Sequence, residues 1–319
     1  MSCVSDIVVI PDAKLIPMRR GNGLFGSLFS SYGAIDGTGR RFPKWPLLNS
    51  LDTSFAVNVL RGRPSSSDQS LPEAIFGGLY YNWFGHFITE TVPNLLAAKI
   101  ALEHAPDLPI VFFVPDNRTK EDHYPELSPW ALFFLEHIGL DPTKFHFIRQ
   151  PLHVRRLVFG PTPFTRKFHF APWSLLALDQ LFGAKSIGST SDLYLSRSKW
   201  SNVRTSDESI IERHFSSRGF DVVHMEALSL SDQISSIRGA RHVAGCTGTA
   251  LHWSLYSKTC ESVIALGYRS PLQRGISKSR GQIYVNPPGR RVADASIRVR
   301  DFDIRSLDCA LDHIGVALI

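Results

Sequence analysis

Between residues 193 and 266 four short apolar runs, Leu193–Ser196, Phe220–Met225, Arg241–Ala244 and Ser262–Leu266, are separated by stretches far longer than a hairpin turn. Antiparallel neighbours can be joined by two residues, whereas parallel neighbours need a crossover of a dozen or more, usually a helix. The intervening stretches carry helix signals. Thr205 with Glu208 three residues later, and Ser229 with Asp232, have the spacing of capping boxes, and Gly219 and Gly239 follow as stops. The spacing therefore predicts one parallel sheet holding all four runs, with right-handed helical crossovers, as in a Rossmann-like half.

The first half is less regular but reads the same way. Ile7–Ile10 and Phe55–Leu60 are short β-like runs, and 64–70 reads as a flexible loop. A helix is expected from Gly85 to about His104, then a strand at Ile110–Val114, a helix at Trp130–Ile138 stopped by Gly139, and strands at Phe145–Ile148 and Leu157–Phe159. Strand and helix in alternation argue for α/β layers. Gly160–Ala171, rich in Pro, Phe and basic residues, reads as a linker, and Trp173–Phe182 as a helix. The chain is thus divided into an N-terminal α/β domain over 1–165, a Rossmann-like domain over 166–290, and a tail over 291–319. The tail's amphipathic helix, about Ile304–Val316, is free to pack on either domain, including back on the first.

Several function classes drop out on composition and pattern. No apolar run approaches the ~18 residues of a membrane helix. The first residues lack a basic stretch followed by an apolar one, so no conventional secretory signal is read and a cytoplasmic protein is expected. Cys3, Cys246, Cys260 and Cys309 contain no CxxC pair, which argues against a disulfide scaffold or zinc ribbon and for reduced, mostly buried thiols. The histidines show no HExxH spacing, and GxSxG is absent. Gly21, Gly23 and Gly26 fit GxGxxG, but Met18, Arg19 and Arg20 precede them instead of an apolar strand. Asp301–Phe302–Asp303 has the Asp-x-Asp form of a metal motif but follows an irregular basic segment, so no metal is assigned. The net charge of +6 is local: residues 261–300 hold eight basic residues (Arg269, Arg274, Lys278, Arg280, Arg290, Arg291, Arg298, Arg300) against Glu261 and Asp294. Such a segment suits a phosphate-bearing ligand, a polyanion or an anionic membrane surface, or is a solvated loop.

Two constellations carry chemistry. Gly245, Cys246, Thr247, Gly248 and Thr249 form a turn from a strand into a helix, where backbone N–H groups and the Thr hydroxyls suit a diphosphate. Arg197, at the carboxyl edge of the sheet, can grip phosphate bidentately, with Arg204 a few residues on. In the first half His86 and Glu90, at i and i+4, share a helix face. Pro93 removes the hydrogen bond to the Thr89 carbonyl and should bend the helix there. The pair suits general base work on a hydroxyl, and it sits among Tyr80, Tyr81, Trp83, Phe84 and Phe87, an odd setting for a surface ion pair.

These residues resemble glycosyltransferase family 61. Gly85-His86-Phe87-Ile88-Thr89-Glu90-Thr91-Val92-Pro93-Asn94-Leu95 is similar to that family's GHxxxE…P.L segment. Leu193-Tyr194-Leu195-Ser196-Arg197-Ser198-Lys199 with Arg204 is similar to its YLSR…R segment. Residues 219–223, Glu226, 228–230 and 233–234 continue the likeness in order, and Gly245, Gly248, Ala250 and Leu251 resemble its GxHGAAL turn, with Thr247 where the family has His. The likeness runs from Tyr80 to Leu266; the first ~75 residues carry none.

The resemblance implies a GT-B fold, two Rossmann-like domains facing across a cleft, and inverting, metal-independent transfer from a nucleotide sugar, expected to be UDP-linked, with no other cofactor. Glu90 is then the base and His86 its orienter. Arg197, Arg204, Thr247, Gly248 and Thr249 hold the donor, with Glu226 on the ribose or base. The acceptor would be a glycan or lipid-linked glycan of a capsule or lipopolysaccharide, and the basic segment 261–300 would rest on the inner face of the membrane. Two other readings compete: a non-catalytic binder of nucleotide sugar or glycan with the same fold, and a basic nucleic-acid-binding protein. No nucleic-acid motif supports the latter, so no nucleic-acid partner is assigned.

Overall fold

The computed structural model describes residues 7–19, 31–35, 69–114, 127–166, 168–182, 191–200, 207–291 and 300–316. The chain divides into two compact units, Met1–Lys167 and Phe168–Ile319. The expected strand at 55–60, the glycines at 21–26, Cys3 and Arg204 lie outside the described residues.

The first unit is built on a six-stranded sheet of β1 (Val8–Arg19), β2 (Ser31–Ile35), β3 (Gln69–Leu79), β4 (Ile110–Phe113), β5 (Phe145–Ile148) and β6 (Leu152–Phe159), in the order β2-β1-β6-β3-β4-β5. β6, β3, β4 and β5 run parallel, and β1 pairs antiparallel with β2 and β6. β3 is the hinge of this sheet: Gln69–Ile75 pairs with β6 and Ile75–Leu79 with β4. The sequence hid this strand. It contains Pro72 and the Gly77–Gly78 pair, residue types that usually interrupt a strand, and Gln69 and Ser70, expected in a loop, open it. The two glycines have structural reasons. A Cβ on Gly77 would lie 2.2 Å from the Phe112 ring, and Gly78 adopts φ +81 with the Asn94 side chain packed beneath it. Every residue of β4 is buried, the signature of a strand covered on both faces. Ile10, Leu15, Ala74, Phe76, Val111, Phe113, Leu157 and Phe159 form the core on one face, and the helix Val92–His104 packs on β3. Pro129–Ile138 forms the expected second helix and ends at Gly139 in the left-handed conformation.

The segment expected to be a bare linker carries two short strands, β7 (Phe164–Arg166) and β8 (His169–Phe170), and leads into the helix Pro172–Leu181. The second unit's sheet contains β9 (Ser191–Leu195), β10 (Phe220–Val223), β11 (Ala240–Cys246), β12 (Ser262–Leu266) and β13 (Ile283–Val285). All are parallel, in the order β10-β9-β11-β12-β13. The four predicted runs therefore lie side by side, and β13 extends them. The helix Glu208–Ser217 is capped by Asp207, which accepts from the Ser209 and Ile210 amides; Thr205, the expected cap, lies outside the described residues. Leu230–Gly239 starts as predicted, with Ser229 capping the Asp232 amide.

The closing helix, Ile304–His313, packs on the second unit. Its Leu307, Ala310 and Leu311 join Tyr194, Ile211, Phe215, Phe220 and Ile264 in one core, which corrects the alternative of a return to the first domain. The Asp-x-Asp motif is spent on this docking. Asp303 caps the helix and Phe302 is buried in the same core. Arg280 leaves the basic surface altogether: it is buried, 2.9 Å from Asp179, and donates to the Leu255 carbonyl. Two further strands, β14 (Arg290–Arg291) and β15 (Arg300–Asp301), pair antiparallel. Cys246 and Cys260 are buried and Cys309 is exposed. Among the described residues no helix is long and apolar enough to cross a membrane, and no group of three or more His, Cys, Asp and Glu could hold a metal ion.

Candidate functional site

In the first unit the chain leaves β3 at Leu79 and enters a helix that changes type twice. Phe84–His86 is a single α turn, Phe87–Thr91 is a π turn, and Val92–His104 is α-helical. The sequence places an irregularity in the helix at Pro93, and the backbone widens just before it. The Val92 amide donates to the Phe87 carbonyl five residues back, just before the proline that has no amide to give.

Side chains hold this turn against the strand. The Thr91 hydroxyl donates to the Leu79 carbonyl at 3.0 Å and accepts the Tyr81 amide at 3.1 Å. Asn94 Nδ2 donates to the Glu90 carbonyl at 2.8 Å, and the Thr89 hydroxyl to the Gly85 carbonyl at 2.8 Å.

This scaffold brings His86 and Glu90 together. Nδ1 of His86 lies 2.5 Å from Glu90 Oε1. A carboxylate oxygen accepts, so Nδ1 carries the hydrogen and the lone pair of the neutral ring sits on Nε2. Exposure differs sharply between the two: 43% of the His86 side chain is open to solvent, against 6% for Glu90. The imidazole also stacks on Tyr81, with ring centres 5.0 Å apart. Burial by itself lowers the imidazole pKa, but the hydrogen bond and the charge of Glu90 outweigh it and hold it above its ordinary value.

In the second unit the strand order reverses between β9 and β11, and ligands bind in such sheets at the carboxyl ends of the strands flanking that reversal. Arg197 follows β9 and Gly248 follows β11. The structure brings them into contact: a Cβ on Gly248 would lie 3.0 Å from Arg197 Nη1, so the glycine makes room for the guanidinium. Among the described residues no carboxylate pairs with this guanidinium, and its Nε is buried without a hydrogen-bond partner. Its other neighbour is the Trp200 ring, 5.5 Å away.

A residue that sequence reasoning used only as a cap does more here. Glu208 Oε1 accepts the Tyr194 hydroxyl at 2.6 Å and the Arg197 amide at 3.1 Å, and Cys246 Sγ lies 3.6 Å from Oε2. One carboxylate thus ties together the ends of β9 and β11. Burial, followed by the nearby Cys246 and Glu208, pushes the Tyr194 hydroxyl well above its ordinary pKa and keeps it a donor. The signal in the sequence was Glu208 itself, whose side chain turns toward β9 instead of back to the cap.

The other expected donor residues fare unevenly. Thr247 is 2% exposed; its amide donates to the Leu266 carbonyl and its hydroxyl to the Tyr268 carbonyl, so it holds the turn shut instead of presenting a hydroxyl. Thr249 opens a helix of only four residues, Thr249–His252, which continues as a 3-10 turn to Tyr256. So short an α-helix carries little of a macrodipole. Glu226, in the turn after β10, lies 4.0 Å from His224 Nδ1 and makes no contact with Arg197 among the described residues.

Comparison with protein families finds one model, described as Glycosyltransferase 61, matching residues 84–264. The match takes in both His86 with Glu90 and the turn with Arg197. Comparison with curated proteins gives no match.

Proposed function

The chain belongs to glycosyltransferase family 61, and on that premise we propose that it is an inverting hexosyl- or pentosyltransferase acting from a nucleotide sugar. Proton transfer is assigned to His86, with Glu90 as its orienter, which exchanges the roles expected from sequence. The observation that carries this reading is the exposure difference within the pair: the group open to solvent is the imidazole, and the carboxylate behind it is spent on Nδ1.

In the proposed reaction Nε2 of His86 takes the proton of an acceptor hydroxyl. The oxygen attacks the anomeric carbon as the bond to the diphosphate oxygen breaks, and a single in-line displacement inverts that carbon. The nucleoside diphosphate leaves with its added charge countered by Arg197, whose Nε is buried without a hydrogen-bond partner. With so short a helix behind Gly248, most of that charge work falls on the guanidinium. Acceptor-side chemistry belongs to the first unit and donor binding to the second, consistent with a GT-B architecture. UDP is the proposed nucleotide. A glycan or lipid-linked glycan of the cell surface is the proposed acceptor, made in the cytoplasm at the membrane face; Arg269, Arg274 and Lys278 remain available for an anionic surface once Arg280 is withdrawn.

The test is transfer or donor hydrolysis by purified protein across a panel of nucleotide sugars. Turnover by the wild type that is lost in His86→Ala supports the reading. Tight UDP binding with no turnover of any donor would favour the non-catalytic alternative instead.

A further inference from the structure

Among the described residues of the first unit, Trp83 is the only Phe, Tyr or Trp left exposed, at 40%. A solitary exposed apolar side chain is ordinary, but this ring is neither solitary nor loosely held. It stacks on Tyr81 at 6.3 Å, Tyr81 stacks on His86 at 5.0 Å, and Trp83 lies 5.9 Å from the same imidazole. Tyr81 is only 2% exposed and its amide is fixed by Thr91. The Trp83 carbonyl accepts the Phe87 amide at 2.8 Å, which ties its backbone into the helix start. A large apolar ring is therefore held rigidly beside the half-open imidazole, and solvent covers the part that the protein does not.

We infer that the open surface of Trp83 is the acceptor subsite, and that its ligand is a pyranose ring. The inference rests on the reading of His86 as the proton acceptor. An aromatic face carries negative charge in its quadrupole. The side of a pyranose that presents several C–H bonds is apolar and slightly positive, and its rim is hydroxyl. Such a ring laid on Trp83 buries its apolar side and turns its rim toward the neighbouring His86. Because the platform is already ordered, little side-chain entropy is lost when the sugar docks. A linear alcohol or a peptide hydroxyl offers no such face, so the platform selects a carbohydrate acceptor.

Saturation-transfer NMR with UDP and a set of methyl pyranosides (glucoside, galactoside, mannoside, xyloside) tests this on the full chain. At least one pyranoside is expected to show transfer concentrated on the C–H groups of one ring face. Trp83→Ala should lose at least about fivefold of that signal and Trp83→Phe should keep most of it. Trp83→Leu, which keeps apolar bulk without an aromatic face, should behave like the alanine variant. The UDP signal should persist in all three, and an unchanged circular dichroism spectrum and melting transition report that each variant is folded. No pyranoside signal from the wild type, an undiminished one from Trp83→Ala, or full retention by Trp83→Leu overturns the inference. Loss of UDP binding by the wild type would instead sink the donor half of the proposed function and leave the pyranoside result to be judged alone.

Discussion

The two units treat charge in opposite ways at the ends of their central strands. After β3, a carboxylate is buried and given a partner, His86, that reaches solvent; the pair can pass a proton outward without leaving a naked charge inside. After β9, a cation is half-buried and given no carboxylate among the described residues, while Glu208 accepts the backbone amide of the same residue. A satisfied pair is suited to chemistry, since its members can exchange protonation states cheaply. An unsatisfied cation is suited to binding, since the missing partner is what the ligand supplies. The desolvation of the guanidinium is a standing cost that an arriving anion recovers.

The sharpest way to break this comparison is His86→Ala. If the first site handles protons and the second binds, turnover should fall by ~10²–10⁴, the usual worth of a general base, while calorimetric affinity for UDP stays within about twofold. Equal losses in both quantities would erase the distinction. Arg197→Ala is the mirror experiment: UDP affinity should fall by roughly 10–10², because a hydrogen bond to a charged group is worth ~1.5–3 kcal/mol. The same variant, unliganded, should melt no lower than the wild type, since it removes a poorly satisfied cation. A large drop in melting temperature would show that Arg197 is structural.

Smaller in effect is Glu208→Gln, which keeps one acceptor oxygen for Tyr194 and the Arg197 amide but weakens both bonds. A loss of roughly threefold to tenfold in UDP affinity is expected, and little further loss when it is added to Arg197→Ala, since coupled residues do not add. Additive effects would mean that Glu208 acts on something other than the placement of Arg197.

The subtlest test is pH. The folded His86 pKa is raised above the ordinary imidazole value of about 6.5. Stability from its pairing is then complete below that ordinary value and lost as pH climbs through the raised one. Turnover, which needs Nε2 unprotonated, should rise through the same window. Opposed slopes in melting temperature and rate, both flattened in His86→Gln, sharpen the assignment; parallel slopes would contradict it.

What could be read from sequence follows from the same contrast. The second sheet was legible because parallel strands covered on both faces are continuous apolar runs, as Ser262–Leu266 is, and because glycines and capping serines punctuate them. β3 was not, because its two glycines answer to neighbours, the Phe112 ring and the Asn94 side chain, that no local pattern reveals. His86 with Glu90 and Arg197 with Gly248 were found by residue type and spacing. Which member of the first pair faces water was not, since exposure depends on the strand and aromatics packed around it. Glu208 was read as a helix cap and Arg280 as part of a basic segment, yet Glu208 is drawn in by hydroxyl, amide and thiol donors and Arg280 by Asp179, partners distant in sequence that no local spacing reveals.

The π turn has a consequence in angular terms. Each residue of an α-helix advances the chain by about 100°, so the extra residue held between Phe87 and Thr91 works as a gear tooth, setting how far everything before it is rotated relative to everything after. The part after it is locked, with Val92, Leu95, Ala98 and Ala101 wholly buried. The turn is held as well: Phe87, Ile88, Thr89 and Thr91 are buried, and Phe87 packs on Tyr80, Trp130 and Phe134. Deleting a single residue from it would turn the two packed segments about 100° against each other, so that the contacts of one of them are lost. In this protein the placement of His86 is stored as a count of residues, and that count is fixed by the packing on both sides of the turn.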